Sequence, residues 1–449
     1  MSVIGMFYVK GKIIMHYYGT GKMNEVGHLE IGGVDTVELA KEYGTPLYIY
    51  DVALIRERAR MFKQTFESLG VEAQVAYASK AFSSIAMFQL ASEEGLSLDV
   101  VSAGELYTAI QAGFPTERIH LHGNNKSLIE LQMALENEVG CIVVDNFHEL
   151  QMLSELCKRN DKRSSILIRV TPGIEAHTHD YILTGQEDSK FGFDLWNGQA
   201  EKALQIALAD ERLDLLGFHC HIGSQIFETT GFRLAAQKIG EQIYTWHQKY
   251  EYTPAVLNLG GGFGIRYTDS DKPLPVSVYV EEIVKEVKAD FEKSGLPLPH
   301  IWIEPGRSLV GDAGTTIYQI GSSKEVPDTR VYWAVDGGMS DNIRPALYQA
   351  KYEAVLANRP EDPVINEVAI AGKCCESGDM LIWDLPLPDI NEADLLAVFC
   401  TGAYGYSMSN NYNRIQRPAV VFVENGQTKL VVKRESLEDL IKNDVSLYE

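Results

Sequence analysis

From Thr45 to about Asp312, short apolar runs alternate with stretches whose apolar residues recur at helical spacing. Leu54, Met61, Phe62, Phe66 and Leu69 share one face at the period of an amphipathic helix. They lead into a continuous apolar segment, Ala73–Ala78. The same kind of segment returns at Ser97–Val101, Arg118–His122, Cys141–Val144, Ile166–Val170, Leu215–His221, Val256–Leu259 and Ile301–Glu304. Most gaps are long enough for a helix, with Ala103–Ala112 and Phe147–Cys157 as clear cases. Parallel strands need such crossovers, and a parallel sheet is covered on both faces. Eight strand–helix units in a row predict an α/β fold, a closed (β/α)8 TIM barrel over residues 45–313.

After Gly314 the helical period fades. Ile317–Ile320, Val331–Val335, Glu367–Ile370, Leu395–Phe399, Ala419–Val423 and Lys429–Lys433 read as strands. Turn signals such as Asn425–Gly426 and Asp336–Gly337–Gly338 separate them. Residues 314–449 are therefore expected to form an antiparallel β domain. Residues 15–44 are too few to fold alone and are expected to pack with that domain. Residues 1–14 read as an N-terminal extension.

Composition narrows the function. A chain of 449 residues with 45% hydrophobic residues can bury a large core, which excludes a disordered or fibrous protein. The formal net charge of −22 argues against nucleic acid and anionic lipid as partners. The apolar runs, such as Leu395–Cys400, are far shorter than the ~20 residues that span a bilayer. The N-terminus lacks a secretory pattern. Six cysteines without a Cys-x-x-Cys pair suit a reducing cytoplasm.

A barrel of this type carries its chemistry at the C-terminal ends of its strands. Here those ends hold Lys80, Asp99 with Ser102, His122, Asp145, Arg169, His219-Cys220-His221, Gly260-Gly261-Gly262 and Glu304-Pro305-Gly306-Arg307. Each has a bland reading: a surface lysine, a tight glycine turn, a surface ion pair. Their agreement across all eight ends favours function. Three His-x-His pairs, His120/His122, His177/His179 and His219/His221, raise a zinc site, since alternate strand residues share a face. The lysine at the first strand and the glutamate at the eighth speak against it, so no metal is expected. A lysine, an anion-binding glycine turn, an arginine, a carboxylate and a flat imidazole suit pyridoxal phosphate. The lysine forms a Schiff base, glycine N–H groups and Ser224 hold phosphate, and the carboxylate keeps the ring nitrogen protonated.

The motifs YASKA, HGNNKS, HCHIGSQ, NLGGGFG, EPGR, DNIRPALY, CCESGD and GAYGYSMSN occur in that order. On them, the chain from about His28 onward resembles the barrel-type pyridoxal-phosphate decarboxylases. That family, alanine racemase-like in fold (fold type III), includes diaminopimelate, ornithine and arginine decarboxylases. The resemblance implies a set of roles. Lys80 would bond the cofactor, and His221 would stack on its ring. Asp99, Ser224, Gly260, Gly261, Gly262, Pro305, Gly306, Arg307 and Tyr404 would line the cofactor site, Tyr404 also touching substrate, and Glu304 would pair with the ring nitrogen. Arg307, Arg344 and Tyr348 would hold substrate carboxylate, and Glu376 the distal ammonium. Cys375 would donate a proton, with a register ambiguity against Cys374. A homodimer with active sites at its interface is also implied, the Cys375 loop coming from the partner.

The motif match favours the diaminopimelate branch, in which meso-2,6-diaminopimelate becomes L-lysine and carbon dioxide in the last step of lysine biosynthesis. The non-reacting end of that substrate carries both a carboxylate and an ammonium. Arg307 and Arg344 with Glu376 supply the matching charges, and arginine suits bidentate carboxylate work. A decarboxylase of ornithine, arginine or lysine has no use for the arginine pair. A non-catalytic cofactor-binding protein has no use for the substrate set, and a metal-dependent hydrolase is the remaining rival.

Overall fold

The computed structural model describes residues 8–9, 12–13, 16–174 and 189–448. Most of the 1–14 segment and the His177/His179 pair lie outside the described residues. The chain divides into two compact units. One comprises Arg58–Gly264 and Pro273–Ser308; the other comprises Met1–Glu57, Ile265–Lys272 and Leu309–Glu449.

The first unit is the predicted barrel. Its strands are β1 (Ala73–Ala78), β2 (Ser97–Val100), β3 (Ile119–Leu121) and β4 (Cys141–Val144), followed by β5 (Ser164–Thr171), β6 (Leu213–His219), β7 (Val256–Asn258) and β8 (His300–Ile303). They pair in parallel in the order β4-β3-β2-β1-β8-β7-β6-β5, and β4 pairs with β5 to close the ring. Closure leaves no open edge. Cys141, Val143, Leu167, Val256 and Trp302 fill the interior as one buried cluster. The turns after the strands are fixed by helix caps. Ser84, Ser102, Ser127 and Asn146 each accept a backbone N–H at a helix start. At Ser127 the bond is reciprocated by Glu130 as a capping box.

The second unit is strand-rich. Its main sheet runs in the order Met380–Leu387, Asn366–Ala371, Arg330–Val335, Gly314–Val326, Leu47–Asp51, Ala419–Glu424 and Gln427–Val432. Most ladders are antiparallel, as expected, but two are parallel: Arg330–Val335 with Asn366–Ala371, and Leu47–Asp51 with Ala419–Glu424. Leu47–Asp51 falls within the 45–313 stretch expected to form the barrel, yet it lies between Gly314–Val326 and Ala419–Glu424. Every residue of this strand is buried, as a central strand requires. Leu29, Ile31 and Leu39 pack into the same core as Ile317, Val335 and Val421.

Candidate active site

In the barrel unit, Lys80 follows β1 on a single 3-10 turn, Ser79–Ala81, and is exposed where the preceding residues are buried. Glu304 directly follows β8 and is buried. The Asn258 amide donates to its Oε1 at 2.6 Å. His122 Nε2 lies 3.0 Å from Oε1, and His219 Nε2 lies 3.0 Å from Oε2. Burial alone would raise this carboxyl, but His122 first, and the hydrogen bond from His219, outweigh it and hold Glu304 well below the usual carboxylate range. Asp99 stands 3.7 Å from His122 Nε2. Burial lifts its carboxyl to about 6 against the opposing pull of His122.

The three glycines after β7 form a cradle that no side chain could share. A Cβ on Gly260 would meet Cys220 O at 2.5 Å, and one on Gly261 would meet Glu304 O at 2.0 Å. Gly262, at φ +105°, would place a Cβ 2.2 Å from Gly223 O. The turn is tied in place, since Asn258 Oδ1 accepts from Gly260 N at 2.9 Å and His221 Nδ1 from Gly261 N at 3.2 Å. Arg307 Nη2 donates to Ser224 Oγ at 3.0 Å. Gly306 packs beneath β1, where a Cβ would touch that of Ala78 at 3.0 Å, and Pro305 O accepts from Ala78 N. The barrel therefore carries Lys80, Asp99, His221, Ser224, the glycine turn, Glu304, Pro305, Gly306 and Arg307 at the C-terminal ends of its strands and the turns that follow.

The His-x-His expectation fares differently. β6 stops at His219, so His221 lies on the following turn and the two histidines serve different partners. His120 stacks flat on Trp302, with ring centroids 4.4 Å apart. One donor atom each of His120, His122 and Glu304 falls within 4.8 Å of the others. A cation there would meet the Asn258 N–H already seated on Glu304, a donor that repels metal. The sequence reading assigned no role to His219, Asn258 or His122; the signal was the eight-strand register, which aims three strand ends at one carboxylate.

In the second unit, Arg344 opens a short helix, Arg344–Tyr348, and is buried. Its Nη1 donates to the hydroxyls of Tyr352 at 2.7 Å and Tyr267 at 3.1 Å. Its guanidinium also lies 5.0 Å from the Tyr267 ring centroid. Tyr348 is partly exposed. Cys375 and Glu376 lie on an exposed turn, whereas Cys374 is buried and burial pushes its thiol up to about 11. Cys375 N donates to Asn413 Oδ1, and Asp379 accepts from Cys374 N and Met339 N, so the turn is pinned on both sides. Tyr404 adopts φ +60°, an uncommon value for a residue with a Cβ.

Comparison with known proteins gives the family. Residues 52–311 match the family described as "Pyridoxal-dependent decarboxylase, pyridoxal binding domain". The diaminopimelate decarboxylase of Bacillus methanolicus is 71% identical, over 94% of this chain and 98% of its own length. That of Bacillus subtilis (strain 168) is 67% identical, over 96% of this chain and 98% of its own. This chain belongs to the diaminopimelate decarboxylases. Among solved structures, the diaminopimelate decarboxylase from M. jannaschii in complex with L-lysine superposes with a TM-score of 0.87. It is 34% identical and covers 95% of this chain and 98% of its own. The Helicobacter pylori enzyme complexed with L-lysine gives 0.81 at 29% identity, covering 91% of this chain and 98% of its own.

Diaminopimelate decarboxylases work with pyridoxal phosphate. The barrel residues fit it. The glycine turn has no room for a side chain, and with the Gly260 and Gly261 N–H groups taken by Asn258 and His221, Gly262, Ser224 and Arg307 are the groups placed to meet an anion. The Glu304 carboxyl, joined to the same turn through Asn258, is buried and held well below the usual carboxylate range, as a partner for a protonated ring nitrogen must be. Among the described residues, no helix is long and apolar enough to cross a membrane.

Proposed function

We propose that this chain decarboxylates meso-2,6-diaminopimelate to L-lysine and carbon dioxide. The observation that carries the substrate is Arg344. It is buried, its bonds go to two tyrosine hydroxyls, and among the described residues no carboxylate lies within ion-pair distance. A buried guanidinium left without a counter-charge is a receptor for an anion brought by the ligand. A substrate with a bare distal amine would leave it unanswered.

The other residues take matching roles. Lys80 carries the amine that would hold the cofactor. Ser224, Gly262, Gly306 and Arg307 would hold the phosphate, Gly260 and Gly261 would close the turn around it, and Pro305 would shape that loop. His221 presents its ring face, while burial, then Lys80, keep its imidazole neutral. Asp99 lies beside Lys80's charge, and Tyr404 lines the site. Bound pyridoxal phosphate supplies an electron-poor ring that accepts the electron pair left when carbon dioxide departs. Glu304, held ionised, keeps a proton at the ring nitrogen. Arg344 and Tyr348, with Arg307, orient carboxylate, and Glu376 answers the distal ammonium. The Cys375 thiol delivers a proton to the carbon that lost the carboxylate. Exposure of Cys375 and Glu376 on one chain supports a homodimer in which this turn completes the partner's site. The cytoplasm is the compartment this chemistry suits. The direct test is Lys80→Ala, which should lose both turnover and the yellow, borohydride-trappable cofactor; retained turnover would overturn the assignment.

A further inference from the structure

The Glu304 carboxylate is more heavily engaged than a simple counter-ion needs to be. A carboxylate has about four acceptor sites. Asn258 Nδ2 takes one on Oε1, with His122 Nε2 at 3.0 Å from the same oxygen, and His219 Nε2 takes one on Oε2. One site on Oε2 remains for a ligand. Asn258 has a second bond, accepting from Gly260 N through its Oδ1. The same amide thus ties the carboxylate to the turn that cradles the phosphate.

The proton inventory matters as much as the geometry. Among the described residues, His219 Nδ1 is buried with no hydrogen-bond partner. An imidazolium would bury an unsatisfied N–H there, at the full desolvation penalty. The ring is therefore neutral, with its one proton on Nε2, and burial pushes its basicity the same way, to about 4. Asn258 is neutral by nature. These two donors fix the carboxylate without cancelling its charge. A cation in either place would compete with the pyridinium for Glu304.

We propose that His219 and Asn258 are positioning residues that set the protonation of the cofactor ring by orienting Glu304 through neutral donors, leaving an acceptor site on Oε2 for the ring nitrogen. This rests on the reading of Glu304 as the ring-nitrogen partner. Misplacing a group of this kind by about 1 Å costs on the order of a hundredfold in rate.

The test reconstitutes the full-length protein with pyridoxal phosphate labelled with 15N at the ring nitrogen. The ring 15N shift is read by NMR beside kcat and KM, for His219→Leu, Asn258→Leu, His219→Gln and Glu304→Gln. Both leucine variants should move the shift toward the unprotonated value and lower kcat by about tenfold or more, with KM changed less. His219→Gln, which keeps an N–H donor, should recover part of both. If a leucine variant fails to hold cofactor, His219→Ser and Asn258→Ser, which empty the position without apolar bulk, are read in its place. A wild-type 15N shift in the variants, with Glu304→Gln shifted, would overturn this inference alone. An unshifted Glu304→Gln would overturn the reading of Glu304 itself.

Discussion

Replacing Arg344 by methionine keeps the length of the side chain and removes its charge. The substrate carboxylate would then meet two tyrosine hydroxyls where it met a guanidinium. Breaking a buried ion pair from one side costs about 3–5 kcal/mol, because the remaining charge stays desolvated. Tyr348 beside it is 36% exposed, which admits some water and favours the lower end. At about 1.4 kcal/mol per decade, kcat/KM for meso-diaminopimelate should fall on the order of a hundredfold. L-lysine keeps the non-reacting end of the substrate, so its competitive inhibition should weaken by a similar factor. Cadaverine carries no carboxylate, and its inhibition should hardly change. Tyr352→Phe removes only the 2.7 Å bond that aims the guanidinium. A hydrogen bond to a charged group is worth about 1.5–3 kcal/mol, so that variant should lose about tenfold to a hundredfold. Stability should move the other way: Arg344→Met removes an uncompensated buried charge, and its urea midpoint should equal or exceed that of the native protein. The assay is initial-rate carbon dioxide release with both inhibitors titrated. Activity within fivefold of native, or equal weakening of lysine and cadaverine, would refute the reasoning.

Three further outcomes are expected. Gly261→Ala should abolish cofactor retention while leaving the far-ultraviolet spectrum native, because its Cβ would fall 2.0 Å from Glu304 O; a fully loaded variant would contradict the cradle. Cys375→Ala should slow turnover without loss of the bound cofactor's absorbance, and Cys374→Ala should affect stability more than rate, since only Cys375 is exposed; the reverse pattern would exchange their roles. Burial lifts the Asp341 carboxyl to about 7, with Tyr318 and the Gly338 N–H opposing the shift in part. Between pH ~4 and ~7 the native state binds the extra proton, so stability falls as pH rises. Asp341→Asn should gain on the native protein by about 2–4 kcal/mol between pH 4 and 8 in urea titrations; a difference independent of pH would rule this out.

The barrel was legible because its strands are short, apolar on both faces and separated by capped helices. Ala73–Ala78 and Cys141–Val144 emerge with the predicted bounds. Leu47–Asp51 has the same local signature, and only its distant partners at Gly314–Val326 and Ala419–Glu424 reveal that it belongs to the other sheet. Met380–Leu387 escaped the sequence reading because Pro386 weakens a strand pattern; the strand lies at the sheet edge, where a proline is tolerated. Lys80, Glu304 and the glycine turn stand out by chemistry at strand ends. The partners of Glu304 did not, because alternation along one strand suggested that His219 and His221 work as a pair. Their separation depends on where β6 ends. The tyrosines that clamp Arg344 are equally hidden, since Tyr267 precedes it by 77 residues and Tyr352 lies beyond the end of its short helix.

The central claim is the reaction itself. Purified protein, loaded with pyridoxal phosphate, should release carbon dioxide and L-lysine in equal amounts from meso-diaminopimelate, and none from ornithine, arginine or lysine offered in parallel. Release from one of those three instead would keep the decarboxylase and contradict the account of Arg344 and Glu376. A yellow protein that releases carbon dioxide from none of the four would contradict the assignment as a whole.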